Sequence, residues 1–492
     1  MNPPESTGPE RTLDPEDWSE TRGLGHELLD ELFDWLETVR ERPAWQPVPA
    51  DARTRLDVPP PYESTGIAEI LADLKQDILP YPTGNVHPRF FGWVHGTGTV
   101  EGALAELAAG FMNCNVGGRD HAAVYVERQV IAWLTELFGF PRDSTGLLVS
   151  GTSMATLLGL AVARERVAPG KVRSEGVAAS PRPLLAYASA EAHVSVRKAL
   201  ELLGLGGNAL RRVPVDESFR MDPRVLKEMV AADRSAGYEP FCVVGTAGTV
   251  TTGAIDDLAA VADVCFAEGL WLHVDAAFGG ALMMCEDLRP RLAGIERADS
   301  LAFDLHKWMH VPYDAGCVLV RDAEAHRATF SADRDYLGRF ERGTGAGDPW
   351  YTDFGPELSR GFRALKVWVT LRAHGLNRLG ETVAKNCEQA TYLAARVAER
   401  DGWVVAAPVG LNIVCFRVEP PAESGLDPDE MSREIVMRVQ ESGVAVPSTV
   451  EIGGQVCIRV AITNHRTQRA DLDLFLDAVE TARRDILEDG PQ

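Results

Sequence analysis

The residue best suited to covalent chemistry in this chain is Lys307. It sits in Leu305-His306-Lys307-Trp308-Met309, an apolar and aromatic stretch. Of the 49 basic residues, only seven are lysine. Arginine serves wherever a plain positive charge is enough. A lysine kept in an apolar setting can lose its proton and act as a nucleophile, which arginine cannot do. Taken alone, Lys307 could equally bury its stem and leave its ammonium in solvent.

Asp275 narrows the choice. It closes the run Leu270-Trp-Leu-His-Val-Asp275 and is followed by Ala276 and Ala277. A carboxylate at the end of a buried strand needs a cationic partner. A protonated pyridine nitrogen would serve, with the two alanines leaving room for a flat ring; an arginine would serve as well. Ser150-Gly151-Thr152-Ser153 follows the run Leu147–Val149 and opens a helical pattern, Ala155–Ala163. Free backbone N–H groups there could hold a phosphate, or simply cap a helix. His193 follows the run Leu184–Ala188 and could stack on a ring or lie on the surface. Gly204-Leu-Gly206-Gly207 follows a helix and reads as its stop. No phosphate-binding Gly-rich loop, metal-spaced His/Asp/Glu cluster or Gly-x-Ser-x-Gly elbow is present, so no metal is expected.

These residues need a scaffold. Short apolar runs at Gly146–Val149, Leu184–Ala188, Phe241–Val244, Leu270–Val274, Ser300–Phe303 and Gly316–Val320 alternate with helical patterns. Such runs predict a mainly parallel sheet covered on both faces, with ligands beyond the carboxyl ends of its strands. The expected division is an N-terminal helical and extended segment (1–85), a large α/β domain (86–375) and a small C-terminal α+β domain (376–492). The first segment carries helical spacing over Leu24–Val39 and Ile67–Ile78, with Pro-rich chain between. Its thin apolar stripes must pack on its own chain or wrap a second subunit. Beyond Lys366, helices run to about Arg400. Strands are expected at Gly402–Ala406, Leu411–Arg417, Gly443–Pro447 and Gln455–Ala461, then a helix over Arg469–Leu487.

The formal charge of -23 and pI near 5.0 make nucleic acid and anionic membranes poor partners. Eight cysteines without a C-x-x-C pair read as small buried hydrophobes in a reducing compartment. The polar, acidic N-terminus is no signal peptide, and no apolar stretch reaches membrane-spanning length. A cytoplasmic location is expected.

The order of phosphate turn, histidine, Asp-Ala-Ala and His-Lys-Trp resembles the group II pyridoxal-phosphate decarboxylases, which include aromatic-L-amino-acid, histidine and glutamate decarboxylases. The likeness runs from the helix near Leu24, through His87-Pro-Arg-Phe-Phe91, to at least Lys366. It implies the fold-type-I architecture of pyridoxal 5′-phosphate (PLP) enzymes and a homodimer. It implies that Lys307 is the Schiff-base lysine, Asp275 the pyridine-nitrogen partner, Ala277 a neighbour of the ring and His193 the residue stacked over it. Thr152 and Ser153 resemble phosphate ligands, with His306 nearby. Thr249 falls in a cofactor-contacting segment, although Val250 stands where family members often have the hydroxyl. Tyr336 aligns with the tyrosine of a mobile catalytic loop, and Arg360 with an arginine that supports the active site.

The reaction implied is release of CO2 from an L-amino acid to give an amine, with Tyr336 protonating the α-carbon. Phe91, Trp93 and His95 would line the substrate pocket, with Arg119 and Arg360 at its flank. The aromatics suit an aromatic side chain; His95 and Arg119 leave a polar one open. Two alternatives share the Lys–Asp logic. One is an oxidative deaminase giving an aldehyde; the other is a fold-type-I aminotransferase, which needs no loop tyrosine.

Overall fold

Strands that lack a polar face must be covered on both sides, and the chain supplies helices to do so. The computed structural model describes residues 12–167, 169–331 and 340–490. Seven strands form the large sheet: β1 (Thr145–Val149), β2 (Leu184–Ser189), β3 (Leu210–Val213), β4 (Glu239–Thr246), β5 (Trp271–Asp275), β6 (Ser300–Asp304) and β7 (Gly316–Val320). Their order is β1-β7-β6-β5-β4-β2-β3. β3, β2, β4, β5 and β6 are parallel, while β7 is antiparallel to both β6 and β1. β1 therefore points the same way as β6, and the carboxyl ends of β1, β2, β4, β5 and β6 share one edge.

Every residue of β2, β5, β6 and β7 is buried, as continuous apolar runs require. β3 is the strand not anticipated. It is a half-buried edge strand carrying Arg211 and Arg212, so it has no apolar run to read.

A smaller antiparallel sheet contains β8 (Trp403–Val405), β9 (Ile413–Val418), β10 (Ser448–Ile452) and β11 (Gln455–Ala461), in the order β10-β11-β9-β8. The strand expected at Gly443–Pro447 falls instead at Ser448–Ile452. The earlier residues make only one isolated bridge, Val446 with Phe90, and Pro447 has no N–H to extend a ladder.

The helices used below are α1 (Trp18–Glu37), α2 (Val100–Met112), α3 (Ala122–Leu137), α4 (Thr152–Val167), α5 (Val194–Leu202), α6 (Arg363–Ala398, broken at Gly375), α7 (Pro428–Glu441) and α8 (Arg469–Asp489). α1 starts where Asp17 accepts from the backbone N–H of Ser19 and Glu20, and it buries no residue. Among the described residues, no helix is long and apolar enough to cross a membrane.

Two large apolar cores result among the described residues, beside a small cluster of Ala44, Phe90 and Val446. One surrounds the seven-stranded sheet and takes Val367, Leu371 and Val383 from α6. The other lies under the four-stranded sheet and takes Ala390, Leu393 and Val397 from the same helix, with α7 and α8. Phe91 belongs to this second core. It is fully buried, with its ring 5.6 Å from that of Phe475. Its N–H donates to Val446 O (2.8 Å), and its carbonyl accepts from Ala461 N (2.9 Å). Phe91 is therefore a packing residue, which corrects its assignment to the substrate pocket.

Candidate active site

The shared carboxyl edge of the large sheet opens into a cavity of about 500 Å³. Its lining includes Trp93, His95, Thr152, Ser153, His193, Thr246, Thr249, Asp275, Ala277, Asp304, His306, Lys307 and Tyr313. Each catalytic or cofactor residue singled out in the sequence, apart from Tyr336, is thus brought to one place. Tyr336 lies outside the described residues.

Lys307 follows β6, and its Nζ donates to Asp304 Oδ2 at 2.8 Å. Asp304 ends β6 and is buried; its Oδ1 accepts from Thr152 N at 2.6 Å, at the start of α4. The carboxylate thus ties the lysine to the phosphate-turn candidate. Gly316 makes this approach possible, because a Cβ there would lie 2.5 Å from Gly151 Cα. Gly96 does the same opposite. A side chain would meet His306 O at 1.7 Å and Lys307 O at 2.4 Å, so only glycine lets the 93–98 segment lie on the lysine's backbone.

Asp275 is 4% exposed at the end of β5, and its Oδ1 accepts from Ala277 N at 3.1 Å. Burial pushes its pKa up, against the opposing pull of Lys307 and the Ala277 N–H. Among the described residues no cationic side chain reaches ion-pair distance of Asp275, so it is not half of an arginine salt bridge. It is a buried acid facing a cavity, and it needs a cation from outside the chain.

His193 is the N-cap of α5. Its Nδ1 accepts from Ser195 N at 3.3 Å and lies 2.8 Å from Ser195 Oγ. That partner places the ring proton on Nε2. Burial lowers its pKa, with Asp275 pulling the other way, so the ring is neutral and can lie flat on a planar group. His306 packs on Tyr313 (4.2 Å between rings) and accepts from Ala315 N through Nδ1 at 3.1 Å.

In the cavity wall, the buried hydroxyls Thr152 Oγ1 and Thr246 Oγ1 have no hydrogen-bond partner among the described residues. Buried polar atoms are normally satisfied, so these two mark where a polar ligand group belongs. Thr249 lines the cavity, but its hydroxyl serves its own turn, accepting from Ala254 N (3.1 Å) and meeting Thr252 Oγ1 (3.2 Å). Among the described residues no group of three His, Cys, Asp or Glu could hold a metal ion.

Two expected flank residues lie elsewhere. Arg119 is exposed, with a left-handed backbone (φ 81°), and is absent from the cavity wall. Arg360 is 3% exposed and faces inward. It forms a fork with Glu127 of α3 (2.6 and 3.1 Å) and donates to Val116 O (2.8 Å) and Leu148 O (2.7 Å). Arg360 thus braces the strand before the phosphate turn and does not touch the cavity. Asp304, Thr246 and Tyr313 are the residues that sequence reasoning missed. Asp304 and Thr246 end apolar strands, the criterion that found Asp275; Tyr313 carries no linear signal.

The model of the pyridoxal-dependent decarboxylase conserved domain matches residues 49–419. An aromatic-L-amino-acid decarboxylase of Bacillus atrophaeus is 33% identical over 459 residues, covering 92% of this chain and 93% of that protein. The crystal structure of Oryza sativa TDC with PLP and tryptamine superposes with a TM-score of 0.88 at 27% identity, covering 97% of this chain and all (100%) of the other. Rhodiola rosea 4-hydroxyphenylacetaldehyde synthase gives 0.85 at 25% identity, with 96% and 100% coverage.

Breaking a buried ion pair from one side strands the remaining charge. Arg360→Ala is expected to destabilise the protein by about 3–5 kcal/mol in chemical denaturation. A loss below about 1 kcal/mol, the scale of an exposed pair, would show that Glu127 does not depend on Arg360.

Proposed function

The chain belongs to the pyridoxal-dependent decarboxylases, and from that membership we propose that it removes CO2 from an aromatic L-amino acid to give the corresponding amine. The observation that carries the chemistry is Asp275, a buried acid that among the described residues is in no ion pair and lines the same cavity as Lys307. The substrate class is supported by the aromatic-L-amino-acid decarboxylase at 33% identity and by the tryptamine-bound structural neighbour.

The cavity fits PLP. Lys307 would carry its aldehyde carbon, Asp275 would face its ring nitrogen, and His193 would cover one ring face. Thr152 and Ser153 at the start of α4 would take the phosphate, with Ala277 leaving space beside the ring. When bound, the cofactor supplies an electron sink for the pair left behind as CO2 departs. The chain's own residues do the rest. Asp275 would keep the ring nitrogen protonated by charge. His193, neutral and fixed by Ser195, offers its Nε2–H without adding a second positive charge. Asp304 holds the Lys307 ammonium at 2.8 Å and steers the amine toward the cavity. Trp93 and His95 wall the side chain of the substrate. Tyr336 delivers the proton to the former α-carbon, a role that rests on its place in the sequence resemblance.

The enzyme is further proposed to act as a homodimer. α2 exposes Leu104, Leu107, Phe111 and Met112, and α1 exposes Phe33; such apolar faces point to a partner surface. Light scattering giving the mass of a single 53.5 kDa chain would refute it.

One assay tests the chemistry: a panel of amino acids followed for CO2, ammonia and peroxide together. Stoichiometric CO2 without ammonia or peroxide is expected. Ammonia with peroxide would instead indicate oxidative deamination. Lys307→Ala should retain no protein-bound cofactor absorbance after dialysis, and retention would contradict its role. In Tyr336→Phe the ratio of amine to aldehyde should fall; a wild-type ratio would remove Tyr336 as the acid.

A further inference from the structure

We propose that His95 is a specificity residue that reads a polar hydrogen on the substrate's aromatic ring, either a phenol O–H or an indole N–H. The proposal rests on the aromatic-substrate reading above and deepens it.

His95 lies in the wall of the cavity that holds Lys307. Its ring is nearly parallel to Phe90 (5.6 Å, 18°) and to Trp93 (5.7 Å, 24°) and meets the edge of Tyr313 (6.2 Å, 73°). Its carbonyl accepts from Thr463 Oγ1 at 2.7 Å. The backbone is anchored and the ring plane is set by its neighbours, so the imidazole is a fixed part of an aromatic surface. Among the described residues neither of its ring nitrogens has a protein hydrogen-bond partner.

Burial, with the nearby Lys307 charge, lowers the pKa of this imidazole. A neutral imidazole offers one N–H and one bare nitrogen. It is a poor counter-ion for the α-carboxylate that all amino acids share. It is a good partner for a neutral ring substituent. A benzyl side chain lying against it would strip its water and return nothing, whereas a phenol or an indole restores one bond. That difference enters kcat/KM as selectivity between otherwise similar rings.

The test uses the cofactor-loaded full chain with tyrosine, phenylalanine, tryptophan and 1-methyltryptophan. The wild type should favour tyrosine over phenylalanine, or tryptophan over its N-methyl analogue, by about tenfold to a hundredfold in kcat/KM. Which pair shows the preference identifies the ring. His95→Phe keeps an aromatic wall and should bring that ratio to within about threefold; His95→Gln, which keeps a donor and an acceptor, should restore part of it. An unchanged ratio in His95→Phe would overturn the proposal. So would an equal loss on all four substrates, because the imidazole would then serve a part common to every amino acid. If the wild type decarboxylates none of the four, the aromatic reading itself falls, and this inference with it.

Discussion

The active site is organised around a charge that the protein does not neutralise by itself. Asp275 is buried at the end of a central strand, and among the described residues its hydrogen-bond partner is the Ala277 N–H. A buried carboxylate in that state is costly, so its place in the fold makes sense as a seat for a cationic ring. The sheet order serves this seat. β4, β5 and β6 are adjacent and parallel, so Thr246 lies in register with Asp275, and Asp275 with Ala302. β7 runs the other way and begins with Gly316, opposite both Val149 and Asp304. There Gly316 lets the turn at Gly151 approach Asp304 closely.

Lys307 faces two acids. In this structure it pairs with Asp304, which also accepts from the first N–H of α4. The same carboxylate thus holds the lysine amine and occupies the first backbone donor of α4. Asp275 forms no ion pair among the described residues, so the two buried acids are held differently. One orients an amine of the chain, and the other, on the function proposed above, is the partner for a ring nitrogen.

Much of this was legible in the sequence because one rule located it: look at the residue that ends a buried apolar run in a parallel sheet. Asp275 satisfies that rule, as do Asp304 and Thr246; Thr152 and His193 follow such a run within a few residues, and Lys307 stands out as a rare lysine in an apolar stretch. The rule fails for Tyr313, which a turn returns to the cavity. It also fails for β3, whose edge position admits arginines. Phe91 was misplaced for a conformational reason. Trp93 has a left-handed backbone (φ 50°), which breaks the alternation of an extended segment. Phe90 therefore reaches His95, while Phe91 stays in the other core. Arg360 was misplaced because its partner, Glu127, is distant in sequence, and a one-dimensional reading cannot see a charge already spent.

The segment from Phe90 to Gly96 has two allegiances. Phe91 is packed in the core of the smaller sheet, and Arg459 of β11 donates to Trp93 O at 2.9 Å. Gly96 rests against the backbone of the lysine. The substrate wall is therefore hung from one unit and pressed on the other, like a hinge pin. The four-stranded sheet and the backbone at Lys307 thus share the placing of this wall. The shape of the cavity at Trp93 and His95 therefore depends on the packing of a second core as well as on the residues at its floor.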